Sequence, residues 1–306
     1  NGGSIDCSSS ISTFKNDRGT VDVTLPGNIM VGDIPLGVDS STESILGALT
    51  DWQLSLMGIG FQDLQIKNSL PFLLKAQKHI KTAAYSLYFG HRESQKGCIL
   101  FGAIDHSKHY DNLNEISISA GENGIHRDST IPLKSLAFRV ASDQHVPPLN
   151  KLLESFKLPK NLDIAGFPMR LGYVDTLSQG ATIDFASTYS YMPQKILDQL
   201  LERLGEGINY DLSARAYQVP CSLRQEGNSL AFEFQKLTIN ILFMDLIAIW
   251  PTVTGEEKCM LGILPGPRAV LGGNFLRSCY SVFNLEKETI SLAQVKHSEM
   301  RDIRVM

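Results

Sequence analysis

The chain has 306 residues, 43% of them hydrophobic and 20% charged, enough to bury a substantial core and to divide into two units. Its 28 Lys and Arg stand against 32 Asp and Glu, a formal charge of −4, which excludes the strongly basic balance of a nucleic-acid or anionic-membrane binder. With 25 Gly, 13 Pro and 8% aromatic residues the composition suits an ordered, turn-rich chain and excludes collagen-like and mostly disordered classes.

The first 60 residues alternate short apolar stretches with turn residues. Thr20–Leu25, Asn28–Val31, Ile34–Leu36 and Leu56–Phe61 read as short strands. In Ser69–Lys81, Leu70, Leu73, Leu74 and Gln77 fall at helical spacing behind Pro71, a residue tolerated in a first helical turn. Ala84–Phe89 and Gly97–Phe101, joined across polar His91–Lys96, predict a β-hairpin. Between Asp111 and Pro168 the pattern weakens to strands around Ile116, Ile118, Ile131 and Leu136–Val140, with a short helical turn at Lys151–Phe156 confined by prolines. Gln194–Leu204 carries Ile196, Leu197, Leu200, Leu201 and Leu204 on one stripe behind Pro193, the pattern of an amphipathic helix. Further strands are predicted at Ala231–Phe234, Leu237–Phe243, Met260–Ile263, Val270–Leu271, Tyr280–Phe283 and Ile290–Ala293. Helices do not recur after each strand, so two β-rich lobes fit better than alternating βα units.

No 18-residue apolar run occurs: Leu237–Trp250 is broken by Thr238, Asn240 and Asp245, and no transmembrane segment is expected. Asn1–Ser12 lacks the basic and apolar regions of a signal peptide, and no Asn-x-Ser/Thr acceptor is present. The five cysteines show no C-x2-C pair and no compact Cys/His cluster, so neither a structural metal nor another cofactor is expected. The odd count leaves at least one thiol free or intermolecular. The separation of Cys221 and Cys259 would allow one bridge closing a long loop, whereas Cys98 and Cys279, in apolar runs, read as buried small hydrophobes.

The sequence contains no G-x-G-x-x-G, G-x4-G-K-[ST], H-E-x-x-H or G-x-S-x-G. The seven histidines are scattered; only His106 and His109, in Asp105-His-Ser-Lys-His109, are close enough for local metal or proton chemistry, and a polar turn explains them more simply. In Gly180-Ala-Thr-Ile-Asp-Phe-Ala-Ser-Thr-Tyr-Ser-Tyr-Met-Pro193 an acidic residue, Asp184, follows an apolar strand and precedes a hydroxyl-rich turn. It would either face a cleft or accept hydrogen bonds from its own turn.

Other blocks stand in order along the chain: Asp39-Ser-Ser-Thr42, Gly58-Ile-Gly-Phe61, Ala84-Tyr-Ser-Leu-Tyr88 and Gly97-Cys-Ile-Leu-Phe-Gly-Ala-Ile-Asp-His-Ser-Lys108. Val270-Leu-Gly-Gly-Asn-Phe-Leu-Arg-Ser-Cys-Tyr-Ser-Val-Phe-Asn284 and Ile290-Ser-Leu-Ala-Gln-Val-Lys296 follow near the end. Over nearly its whole length the sequence resembles the pepsin-type fungal aspartic proteases, above all the candidapepsin and yapsin group. The resemblance implies a mostly β, bilobal fold with a truncated N-terminal lobe at 1–113 and a C-terminal lobe at 114–306 that includes part of an interlobe sheet. It also implies a Cys221–Cys259 disulfide, a secreted or cell-surface location, and a polypeptide as ligand or substrate, with no nucleic-acid partner.

In such enzymes one aspartate from each lobe binds a shared water: one carboxylate acts as base and its protonated partner as acid. Asp184 matches the second-lobe aspartate of Asp-Ser/Thr-Gly, and Tyr191-Met-Pro193 matches the Tyr-Leu-Pro that follows it. Its neighbours depart from the pattern: Phe185 removes a hydroxyl and Ala186 puts a methyl group at the glycine position, while Ser187 and Thr188 retain part of the hydroxyl pattern. No Asp-Thr-Gly or Asp-Ser-Gly occurs, and neither Asp6 nor Asp22 supplies the first aspartate. Between Phe14 and Val23 the family's Tyr-Gly-Asp-Gly flap gives way to Lys15-Asn-Asp-Arg-Gly-Thr-Val21. The expectation is a catalytically impaired homologue with a peptide- or protein-binding role. The alternative is an active endopeptidase at acidic pH, in which an N-terminal segment outside this sequence or a homodimer partner supplies the second carboxylate.

Overall fold

Antiparallel pairing across long sequence separations dominates the architecture. The computed structural model describes residues 18–37, 59–60, 69–91, 96–119, 129–139, 169–170, 180–224, 228–251 and 257–306. Lys151–Phe156 and most of Leu56–Phe61, two segments with predicted structure, lie outside these residues, as do Cys7 and Asp39–Thr42.

A five-stranded antiparallel sheet runs in the order Gly97–Phe101, Ala84–Phe89, Cys279–Asn284, Thr289–Gln294, Asn114–Ser117. It takes its first two strands from the expected first lobe and the other three from the expected second. At its centre Tyr85 lies directly opposite Phe283, and the two rings stack at 4.8 Å between centroids. Both are fully buried, so this aromatic pair fixes the register between segments almost 200 residues apart.

A second five-stranded sheet has the order Ile263–Pro265, Ser190–Met192, Ala269–Leu271, Ala181–Ile183, Thr130–Ile131. Ala181–Ile183 runs parallel to Ala269–Leu271, while Ser190–Met192 runs parallel to Ile263–Pro265. The strand at 269–271 is thereby inserted between 181–183 and 190–192, and the loop joining those two must pass over its end. That crossing loop begins at Asp184.

Two four-stranded antiparallel sheets complete the second half. One combines Asn209–Asp211, Ala216–Val219, Glu257–Leu261 and Ile247–Pro251, the other Thr238–Leu242, Ser229–Glu233, Ser135–Arg139 and Met169–Arg170. Helix α1 (Leu70–Ala76) starts with Pro71 in its first turn, and helix α2 (Gln194–Leu204) buries Ile196, Leu197, Leu200 and Leu204. Gly205, at φ +97°, ends α2 in a conformation that costs a side-chain-bearing residue. A disulfide joins Cys221 to Cys259, with Cα atoms 5.2 Å apart, clamping the turn after Val219 to its neighbouring strand.

The structure alters two expectations and details a third. The two short strands predicted at 28–36 are one strand, Ile29–Gly37, paired with Arg18–Leu25. It passes through Asp33, at φ +60°, whose N–H donates to Asp22 Oδ1 at 3.3 Å. Asp105–His109 forms the expected polar turn, as a 3-10 turn capped by the Asp105 carboxylate. Cys98 is exposed, not buried: Gly97–Phe101 is the sheet's edge strand and its first residues face solvent. Cys279, on an interior strand, is fully buried, and burial pushes its thiol up to about 12. Among the described residues no helix is long and apolar enough to cross a membrane.

Candidate functional site

Asp184 leaves the end of Ala181–Ile183 while still held by the sheet: its N–H donates to the Leu271 carbonyl at 3.0 Å, and the Ile183 N–H to the Ser129 carbonyl at 2.9 Å. Thr182 and Thr130 join hydroxyls at 2.8 Å across the same pair of strands. The carboxylate is half-buried and turns back over its own loop. The Ala186 N–H donates to Oδ1 at 2.9 Å and the Ser187 hydroxyl to Oδ2 at 2.6 Å, so each oxygen accepts one bond. Such bonds fix the orientation of a carboxylate. The methyl group of Ala186 does not prevent the backbone N–H from reaching Oδ1.

The loop is carried on a pair of glycines. A Cβ added to Gly272 would lie 2.2 Å from the Tyr189 carbonyl oxygen and 2.8 Å from that of Ser187. Only glycine allows the two backbones to pass so closely. Across this contact Gly273 N–H donates to the Ser187 carbonyl at 2.7 Å and Asn274 N–H to that of Thr188 at 3.2 Å. Beneath it sits a buried polar knot. Asn274 Oδ1 accepts from the Ser190 hydroxyl at 2.7 Å and from Phe275 N–H at 3.0 Å, and Nδ2 donates to the Gly262 carbonyl at 2.7 Å. The Ser190 hydroxyl oxygen in turn accepts from Gly272 N–H at 3.1 Å. Each bond contributes about 1 kcal/mol net, and leaving any of these buried groups unpaired costs more. Asn274 therefore positions the Asp184 loop without touching the carboxylate.

Beside the loop opens a cleft of about 320 Å³, bounded by Phe89, Phe185, Tyr189, Leu246, Asp245 and Arg277. Its wall also includes Ala186, Ser187 and Thr188, so four of the predicted motif positions face one cavity. Phe185 does more than remove a hydroxyl: its ring packs edge-on against Phe283 at 6.4 Å, anchoring the loop to the five-stranded sheet. Asp245 comes from the short turn of helix at Phe243–Leu246, and Arg277 from the end of the one at Gly273–Leu276. Arg277 reaches the Gly90 carbonyl at 3.5 Å. The cleft thus has an aromatic floor and one charge of each sign, which suits an apolar side chain flanked by peptide groups. Asp22, in the first hairpin, is an exposed acceptor for the Asp33 N–H.

Asn274, Gly272, Asp245 and Arg277 escaped the sequence reading as site residues. Two consecutive glycines before an asparagine were the available signal, since Gly-Gly marks a close backbone approach. Nothing local marked Asp245 or Arg277.

The family model for eukaryotic aspartyl protease matches residues 15–141 and 165–295. The chain belongs to that family. Secreted aspartic protease 7 of Candida albicans is 30% identical over 337 residues, an alignment covering 98% of this chain and 54% of that protein. The probable aspartic-type endopeptidase opsB of Aspergillus oryzae is 26% identical over 290 residues, covering 90% and 52% respectively. Aspartic proteinase 3 of Saccharomyces cerevisiae is 26% identical over 310 residues, covering 94% and 47%. The chain spans about half the length of these curated relatives. Its mostly β architecture is the pepsin-like bilobal fold of the family.

Proposed function

We propose that this chain, acting alone, is a catalytically impaired aspartic-protease homologue that binds polypeptide. The observation that carries the reading is the composition of the Asp184 loop: a bulky Phe185 pinned against Phe283 beside a cleft, in a sequence with no Asp-Thr-Gly or Asp-Ser-Gly. Peptide hydrolysis of this type needs two carboxylates sharing one proton and one water. With Asp184 alone neither the base nor the acid has its partner. The division into units at 1–113 and 114–306 belongs to this proposal, as does a secreted or cell-surface location, which rests on relatives named as secreted proteases.

One observation favours a second reading. Asp184 keeps a hydrogen bond to each carboxylate oxygen, the positioning a working aspartate requires. An N-terminal segment beyond this sequence, or a second copy contributing its own Asp184, would then complete an acidic endopeptidase.

Calorimetric titration with an array of extended peptides separates the binding claim from its absence. Peptides bearing an apolar side chain should bind the purified chain, and Arg277→Ala should weaken them about 10-fold or more by removing a charge from the cleft. Pepstatin, which engages both aspartates of the family's assembled site, should bind poorly. Tight pepstatin binding abolished by Asp184→Asn would overturn the impaired-site reading, and failure of every peptide to bind would overturn the binding role.

A further inference from the structure

The turn at Asp105–His109 is not explained by the aspartate site. Asp105 caps it, accepting from the Ser107 N–H at 3.0 Å, the Ser107 hydroxyl at 2.7 Å and the Asp302 N–H at 2.9 Å. Folded this way, the turn brings the rings of His106 and His109 to 5.4 Å between centroids, with their planes inclined at 59°. His109 is 9% exposed and rests on the Tyr280 ring at 5.3 Å. Its Nδ1 lies 3.0 Å from the Asp111 carbonyl oxygen. A carbonyl can only accept, so Nδ1 carries the proton and the neutral ring presents a lone pair at Nε2. That Nε2 is buried and has no hydrogen-bond partner.

An unpaired buried nitrogen is a standing cost, on the order of 1–3 kcal/mol. A main-chain carbonyl that fixes the tautomer and frees the other nitrogen is the arrangement found behind metal-bound imidazoles. Two imidazoles on one tetrahedral ion, at metal–nitrogen distances of about 2.0–2.1 Å, place their ring centres about 5 Å apart. The separation of His106 and His109 agrees with that requirement. Neighbouring charge is mixed. Lys108 bonds the Ser298 carbonyl and lies over Tyr88. The Asp302 carbonyl accepts from the His106 N–H at 2.9 Å, and its carboxylate is held by Arg304 at 2.8 Å.

We propose that His106 and His109 form a two-imidazole site for a divalent transition-metal ion of the zinc or copper class. Among the described residues no third His, Cys, Asp or Glu joins them, so the two imidazoles are the donors the described residues offer. The site lies against the two-stranded pairing of Ala103–Asp105 with Ile303–Val305, and a bound ion would brace that pairing from one side. Imidazole donors select zinc, copper or nickel over calcium or magnesium. The inference does not depend on whether Asp184 is catalytic.

Cu²⁺ titrated into the metal-free full chain at neutral pH tests it, followed by calorimetry and by electron paramagnetic resonance. The expected result is one equivalent bound with nitrogen superhyperfine structure, a Zn²⁺-dependent rise in Tm, and loss of binding on acidification as protons compete for the imidazoles. His106→Ala, which leaves the core histidine in place, should weaken binding about 10-fold or more, while His297→Ala, altering the separate His91–His297 contact, should leave it unchanged. Binding that survives His106→Ala, or that His297→Ala removes, would overturn the assignment. So would absence of metal binding to the unaltered chain.

Discussion

Substituting Gly272 with alanine isolates the contact on which the Asp184 loop depends. Gly272 has φ −90°, a backbone angle alanine adopts freely, so the effect is steric rather than conformational. The added Cβ would meet the Tyr189 carbonyl oxygen at 2.2 Å, its carbon at 2.7 Å and the Ser187 oxygen at 2.8 Å. All three are backbone atoms, which no rotamer change can move aside. Relief requires a displacement of about 1 Å between the 184–189 loop and the 272–274 segment, and overpacking of that kind costs about 1–3 kcal/mol. It also strains the bonds from Gly272 to Ser190, Gly273 to Ser187 and Asn274 to Thr188, each worth about 1 kcal/mol. Overpacking together with partial loss of these three bonds predicts a loss of about 3–5 kcal/mol, read as a lower urea midpoint at unchanged slope. Gly60→Ala, where nothing lies within 4 Å of the new Cβ, should stay within about 0.5 kcal/mol of the parent. A Gly272→Ala protein within about 1 kcal/mol of the parent would refute the reasoning.

Replacing Cys221 and Cys259 together by serine should cost about 3–4 kcal/mol, the loop-closure term for a sequence separation of 38, measured by thermal and urea unfolding. Peptide-resolved alkylation should modify Cys98 in the native protein and Cys279 only after denaturation, because the first is exposed and the second is sealed in the sheet. Cys98 should react slowly at neutral pH, since the protein atoms beside its exposed sulfur desolvate the thiolate and raise its thiol above the usual value. Glu286 accepts from Lys75 at 2.6 Å and from the Ala83 N–H, which holds its carboxyl below the usual range. A depressed folded value contributes stability above the unfolded pKa that is lost as pH falls through the folded one. Glu286→Gln should therefore lower Tm at pH 7, with the gap to the parent closing as pH falls below the ordinary carboxyl value of 4.5; a gap that persists or widens at acid pH would contradict the linkage.

What the sequence revealed depended on whether a pattern was periodic or relational. The α2 stripe from Ile196 to Leu204 was legible because one face of a helix repeats every three to four residues. The hairpin at 84–101 was legible because a polar turn divides two apolar runs. Cys98 was misread because apolar neighbours do not reveal that a strand lies at a sheet edge. The strands Ala216–Val219 and Ile247–Pro251 escaped notice: the first interleaves Tyr217 and Gln218 among small residues, and the second adjoins a long apolar run with no turn signal between them. At the candidate site, family resemblance drew attention to Asp184 and the four positions after it. The support beneath them was invisible, since Asn274 reaches Ser190 and Gly262 only once strand 269–271 is threaded beside the crossing loop. Phe185 likewise looked like a lost hydroxyl, and its packing on Phe283 depends on bringing together two sheets.

The central claim, that this chain alone lacks a working pair of aspartates, is tested most directly by cleavage of a broad peptide library from pH 3 to 7. Mass spectrometry of the products would compare the purified, folded chain with Asp184→Asn and with added pepstatin. The account predicts no cleavage above that of the Asp184→Asn protein at any pH. Cleavage at acidic pH that disappears both with the substitution and with pepstatin would contradict it and require a second carboxylate, contributed by another copy of the chain.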